Sequence, residues 1–95
     1  MIKFTYKVLN KLNNMELNNF TIRTFSNRFG NSEGIFNKVN NICRLLVKHG
    51  ALTVVYDKGY DYHIKYQLTV IAPLVMDNLV TDADALLQFN SELLG

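Results

Sequence analysis

The sequence predicts an α+β domain made of short helices, one β-hairpin and a helical tail. Three observations carry that expectation. Apolar residues recur at helical spacing in three runs from Phe4 to Val47. The period drops to two between Leu52 and Leu68, around the turn-forming Asp57-Lys58-Gly59. Helical spacing returns beyond Thr69. A length of 95 residues suits one domain with one modest core. With 48% hydrophobic and 19% charged residues, the chain lies far from a disordered composition.

The elements follow in order. Phe4, Val8, Leu9 and Leu12 mark an amphipathic helix over residues 1–14, with Lys3, Lys7 and Lys11 on another face. Met15 to Phe20 reads as a loop, with one strand-like pair around Leu17. Thr21 is a good N-cap for a second helix carrying Ile22, Phe25 and Phe29, which Gly30 would end. Ser32 caps a third, from Glu33 to the His49-Gly50 stop, with Ile35, Phe36, Val39, Ile42, Cys43, Leu46 and Val47 inward. In the hairpin, Leu52, Val54 and Tyr56 alternate with Thr53 and Val55. Tyr60, Tyr62, Ile64, Tyr66 and Leu68 alternate with Asp61, His63, Lys65 and Gln67. One apolar-aromatic face and one polar face result. Thr69 would cap a further helix, with Pro73 near its first turn, and Thr81-x-x-Asp84 is a second capping pattern. Residues 70–94 fit one kinked helix or two.

Charge is segregated. Ten Lys and Arg against four acids give residues 1–68 a charge of +6, whereas four acids and no cation give residues 69–95 a charge of −4. The basic body suits a polyanion and the acidic tail suits a protein partner. The tail's leucines either form a dimer interface or cover the core. Asparagine occurs twelve times, a usage typical of AT-rich genomes such as those of phages, plasmids or low-GC bacteria. The lone Cys43 allows neither an internal disulfide nor a cysteine-based zinc site. The N-terminus is too polar for a signal peptide, and no apolar run is long enough to span a membrane. A cytoplasmic location is expected.

Four landmarks give the chain a resemblance to the winged helix-turn-helix domain. They are Phe20-Thr21-Ile22-Arg23-Thr24-Phe25, the turn Phe29-Gly30-Asn31-Ser32, the run from Val39 through Gly50, and Tyr66-Gln67-Leu68-Thr69. The first is similar to the opening of the helix before a recognition helix, and the third to a recognition helix feeding the first wing strand. The fourth resembles the Tyr-x-Leu-Thr that closes the wing in many bacterial repressors. The likeness covers about residues 4–80. Phe25 or Ser26 stands where such domains usually carry a small alanine. The resemblance implies a three-helix core, a hairpin wing and a C-terminal dimerisation helix, with 1–95 as one domain.

It also implies duplex DNA as a partner, read by the third helix in the major groove. With Ile35, Val39, Ile42 and Leu46 inward, the outer face holds Glu33, Gly34, Asn37, Lys38, Asn41, Arg44 and Lys48. Asn pairs well with adenine, and Lys or Arg with guanine or phosphate; Glu33 would repel phosphate unless it accepts from a cytosine amine. The candidate DNA-binding residues are therefore Arg23, Arg28, Ser32, Asn37, Lys38, Asn41, Arg44, Lys58 and Lys65. Arg23 and Arg28 would position phosphates, and Lys58 and Lys65 would act from the wing. Tyr60 and Tyr62 would touch sugar-phosphate or pack inside the hairpin, and Lys3, Lys7 and Lys11 form a phosphate-facing or merely solvated stripe. The expected function is a small transcriptional regulator or DNA-segregation adaptor, acting as a homodimer because one module of +6 binds weakly at physiological salt. The alternative is a protein-interaction module, such as a phage protein bound to a host protein. No enzyme is expected: His49 and His63 lack a carboxylate pair or thiols, Cys43 falls on an apolar face, and no phosphate loop or Ser-His-Asp spacing occurs. No cofactor or metal is implied.

Overall fold

The structure is a computed structural model that describes residues 2–15, 19–56 and 64–95. Its elements are α1 (Ile2–Asn13), β1 (Asn19–Thr21), α2 (Ile22–Ser26), α3 (Glu33–Lys48), β2 (Leu52–Tyr56), β3 (Lys65–Leu68), α4 (Ala72–Thr81) and α5 (Ala83–Leu94). The described residues thus form an α+β fold with a small antiparallel sheet in the order β1-β3-β2. The hairpin turn, Lys58, Tyr60, Tyr62 and His63 lie outside the described residues, as does Leu17.

β1 corrects the loop expected before Phe20. Phe20 pairs with Tyr66, and Asn19 and Thr21 flank it opposite Gln67 and Lys65. Three residues carry no periodicity of their own, so this strand exists only because β3 offers it an edge. Thr21 holds the N-cap position of α2 in extended backbone, but its side chain makes no capping bond. The Ile22 N–H donates instead to the Ile64 carbonyl of the neighbouring chain segment, 2.9 Å away, so the sheet satisfies a donor at this helix start.

α2 also ends four residues before Gly30. The Ser26 hydroxyl donates back to the Arg23 carbonyl at 3.0 Å, and the Arg28 and Phe29 N–H groups reach carbonyls three residues back. The helix therefore tightens into turns before the glycine. Phe29 still packs edge-on against Phe25 and Phe4. Ser26, fully buried, supplies a small side chain in a helix packed on α3. Gly30 keeps a positive φ of 148°, and a Cβ there would run into the Ile35 side chain.

α3 matches its expected span. The Ser32 hydroxyl accepts from the Ile35 N–H at 3.2 Å, and Gly50, at φ 82°, reverses the chain into β2. Phe36, Val39, Ile42, Cys43 and Leu46 are buried. Burial pushes the Cys43 thiol well above the ordinary range.

The hairpin departs from strict alternation. Leu52, Thr53 and Val54 pair with Leu68, Gln67 and Tyr66, but Tyr56 pairs with Lys65, which leaves Val55 as a bulge. Of the expected apolar face of β2 only Leu52 is buried; Val54 and Tyr56 are exposed with Val55. On β3, Tyr66 is buried between exposed Lys65 and half-buried Gln67.

The tail forms two helices, broken at Asp82, whose backbone is extended. Two capping expectations are corrected here. The Asp82 carboxylate, rather than Thr81, caps α5 by accepting from the Asp84 and Ala85 N–H groups at 3.0 and 3.2 Å. Thr81 ends α4 and donates back to the Asp77 carbonyl at 2.7 Å. The N-cap position of α4 is Ile71 rather than Thr69, and the Thr69 hydroxyl donates to the Gly50 carbonyl, tying the end of the sheet to the start of β2. α4 and α5 pack on α1, and Met76, Leu79 and Phe89 enter the same core as Val8, Leu9 and Leu12. Those tail residues cover the core. Leu74, Leu87 and Leu94 remain exposed, with Val70 and Ile71 at the start of α4.

Candidate nucleic-acid interface

Helical periodicity buries one side of α3 and turns the other outward. Glu33, Gly34, Asn37, Lys38, Asn41, Arg44 and Lys48 are all exposed, which is the set the spacing assigned to the outer face. The inward side holds one polar residue that periodicity leaves without a role, Asn40. It is 5% exposed and its Oδ1 accepts from the Tyr66 hydroxyl at 2.9 Å, with Tyr66 itself 1% exposed. This buried bond joins β3 to α3. It adds a directional contact to the side of α3 that Phe36, Val39, Ile42, Cys43 and Leu46 already hold in the core. A polar residue within an apolar stripe was the available signal, because a buried amide needs a partner.

Arg23 is engaged within the protein. Its Nη2 lies 3.1 Å from Glu33 Oε1, and its guanidinium stacks 3.9 Å above the Phe36 ring. The pair fastens α2 to the first turn of α3. It also accounts for Glu33: the carboxylate at the outer face is matched by a cation, and it sits favourably at a helix N-terminus. A phosphate meeting Arg23 would compete with Glu33. Ser32 is exposed, with its hydroxyl occupied by capping.

Arg28 and Lys65 both line a groove of about 240 Å³, together with Phe20, Thr21, Thr24 and Phe25. No α3 residue lines it, so these two cations form a patch apart from Asn37, Asn41 and Arg44. Lys38 stands at the margin of the outer face, its ammonium 5.9 Å above the Phe4 ring of α1. Lys58 lies outside the described residues.

His49 ends α3 and reaches across to α5, with Nε2 3.1 Å from Glu92 Oε2 and the ring 5.4 Å from Phe89. Among the described residues no group of three or more His, Cys, Asp or Glu side chains could hold a metal ion, and no helix is long and apolar enough to cross a membrane. No protein-family model, curated protein or solved structure matches the chain.

The arrangement presents amides and cations on the exposed face of one helix. Asparagine offers a donor and an acceptor side by side, which suits the N6 and N7 of adenine, while Arg44, Lys48 and Lys38 suit phosphates or guanine. The adjoining hairpin carries Lys65 on an exposed strand position.

Proposed function

We propose that this chain is a winged-helix DNA-binding domain that lays the outer face of α3 in the major groove of duplex DNA. One observation carries the reading. The exposed face of α3 is wholly polar or glycine, with two asparagines and three cations, while the opposite face is locked into the core. The element order supports it: a short strand, two helices joined by residues 27–32, and a two-stranded hairpin in one antiparallel sheet. A homodimer on two half-sites about one helical turn apart would supply the affinity that a single module lacks. Regulation of transcription is the role this reading assigns.

Anisotropy of a labelled AT-rich duplex tests it. Binding should weaken steeply with salt, and Asn37→Ala with Asn41→Ala should lose sequence preference while keeping the fold. No binding at low salt by folded protein refutes the reading. A second reading, a protein-interaction module, is favoured by the exposed Val70, Ile71 and Leu74 at the start of α4, of which Val70 is 98% exposed. Loss of partner capture on Leu74→Glu, with DNA binding absent, would establish it.

A further inference from the structure

The solvent face of α1 does more than carry scattered lysines. Lys7 and Lys11 follow one another by one helical turn, with Tyr6 beside them. Arg28 and Phe29, from the turn between α2 and α3, stand opposite. Together they enclose a groove of about 580 Å³. The amides Asn10 and Asn14 complete its lining, and no acid lines it among the described residues. The segment that carries Arg28 and Phe29 is packed and hydrogen-bonded. Phe29 is wedged edge-on against Phe4 and Phe25, and the backbone of Arg28 and Phe29 is bonded to Phe25 and Ser26.

Lys7, Lys11 and Arg28 have no ion-pair partner among the described residues. Arg23, by contrast, is paired. The groove also adjoins α3: the Phe4 ring meets Phe29 at 5.9 Å and carries the Lys38 ammonium over it at 5.9 Å. Cations without an ion-pair partner among the described residues therefore run from Lys38, over one aromatic ring, to Lys7, Lys11 and Arg28.

We propose that this groove is a second phosphate-tracking site, which holds the phosphodiester backbone of the same DNA flanking the segment met by α3. It rests on the DNA reading above. The row geometry favours a backbone over a single anion. Lys7 and Lys11 are offset by about 6 Å along the helix axis, so they offer successive contacts to a repeating polyanion instead of converging on one point. Tyr6, 42% exposed, gives a flat surface for sugar or an unstacked base. The contacts would set orientation and affinity without reading sequence.

The test compares wild type, the variant Lys7→Gln/Lys11→Gln/Arg28→Gln, and a charge-matched control, Asn78→Asp/Gln88→Glu/Ser91→Asp, at exposed positions of α4 and α5 that do not line the groove. Circular dichroism confirms the fold of each. Duplex affinity is read by anisotropy over a series of salt concentrations. Three lost phosphate contacts should flatten the slope of log K against log salt by about 2.7, while the control keeps the wild-type slope and sequence preference is unchanged. A wild type that binds duplex, with a groove variant of equal slope, overturns the inference and leaves the α3 reading standing. Failure of the wild type itself to bind removes both. If the groove variant keeps its DNA slope but loses self-association in sedimentation, the groove receives the acidic surface of a second copy, and the backbone assignment is wrong.

Discussion

Replacing Tyr66 with phenylalanine removes a single hydroxyl from the joint between β3 and α3. The ring stays the same size, so no cavity larger than the lost oxygen opens. What changes is Asn40 Oδ1, which accepts from that hydroxyl at 2.9 Å in a site where neither residue is more than 5% exposed. A buried acceptor that loses its donor costs about 1–3 kcal/mol. At the middle of that range, with a urea m value of about 1.5 kcal/mol per molar, the unfolding midpoint falls by about 1.3 M. In heat the same change lowers Tm by roughly 10 °C for a domain of this size. Urea titrations followed by circular dichroism give the midpoint, and a constant m value shows that the transition remains comparable. Pairing the change with Asn40→Leu isolates the bond, since replacing both partners by apolar groups can be nearly neutral. The two single changes should couple by at least about 0.5 kcal/mol. A Tyr66→Phe variant within about 0.3 kcal/mol of wild type, or a strictly additive cycle, would refute this account of the bond between β3 and α3.

Two further outcomes are expected. Asp82→Ala should lower stability by about 1 kcal/mol because the capping carboxylate is lost, whereas Thr81→Ala should stay within about 0.5 kcal/mol, since Thr81 is exposed and only bonds back along α4; equal losses in urea unfolding would mean the wrong residue caps α5. The Cys43 thiol stays neutral in the folded protein, its ionisation pushed up by burial, but ionises near pH 8.5 once unfolded. Its raised folded value means the contribution is intact below that pH and is lost above it, by about 1.4 kcal/mol at pH 9.5. The Cys43→Ala variant should lose that much less stability than wild type between pH 7 and 9.5, and parallel pH profiles would disprove it.

Much of the architecture is legible in the residue pattern because helical and strand periods are local. The spans of α1 and α3, the reversal at Gly50 and the polar set on the outer side of α3 all follow from which residues recur every third or fourth position. The hairpin is equally plain in outline. The tail's two helices are suggested by the Thr81-x-x-Asp84 pattern, although that pattern points one residue away from the true cap.

Tertiary structure decided the remainder, and in each case two distant segments had to meet. β1 exists because Phe20 finds Tyr66, and three residues cannot announce a partner that far along the chain. α2 stops at Ser26 as its backbone bonds tighten and a buried serine bonds back to it, so the glycine that looks like the stop comes too late. The bulge at Val55 shifts Tyr56 off the face that alternation assigned to it, and Val54, although paired in regular register with Tyr66, is exposed on an edge strand. Arg23 and Glu33 read as two separate surface charges until the packing of α2 on α3 puts them 3.1 Å apart. The cationic groove was half visible in the spacing of Lys7 and Lys11, but its other wall comes from the turn that carries Arg28 and Phe29. Periodicity reports which side of an element is inward; it is silent on what stands across from that side, because that depends on how separate segments pack.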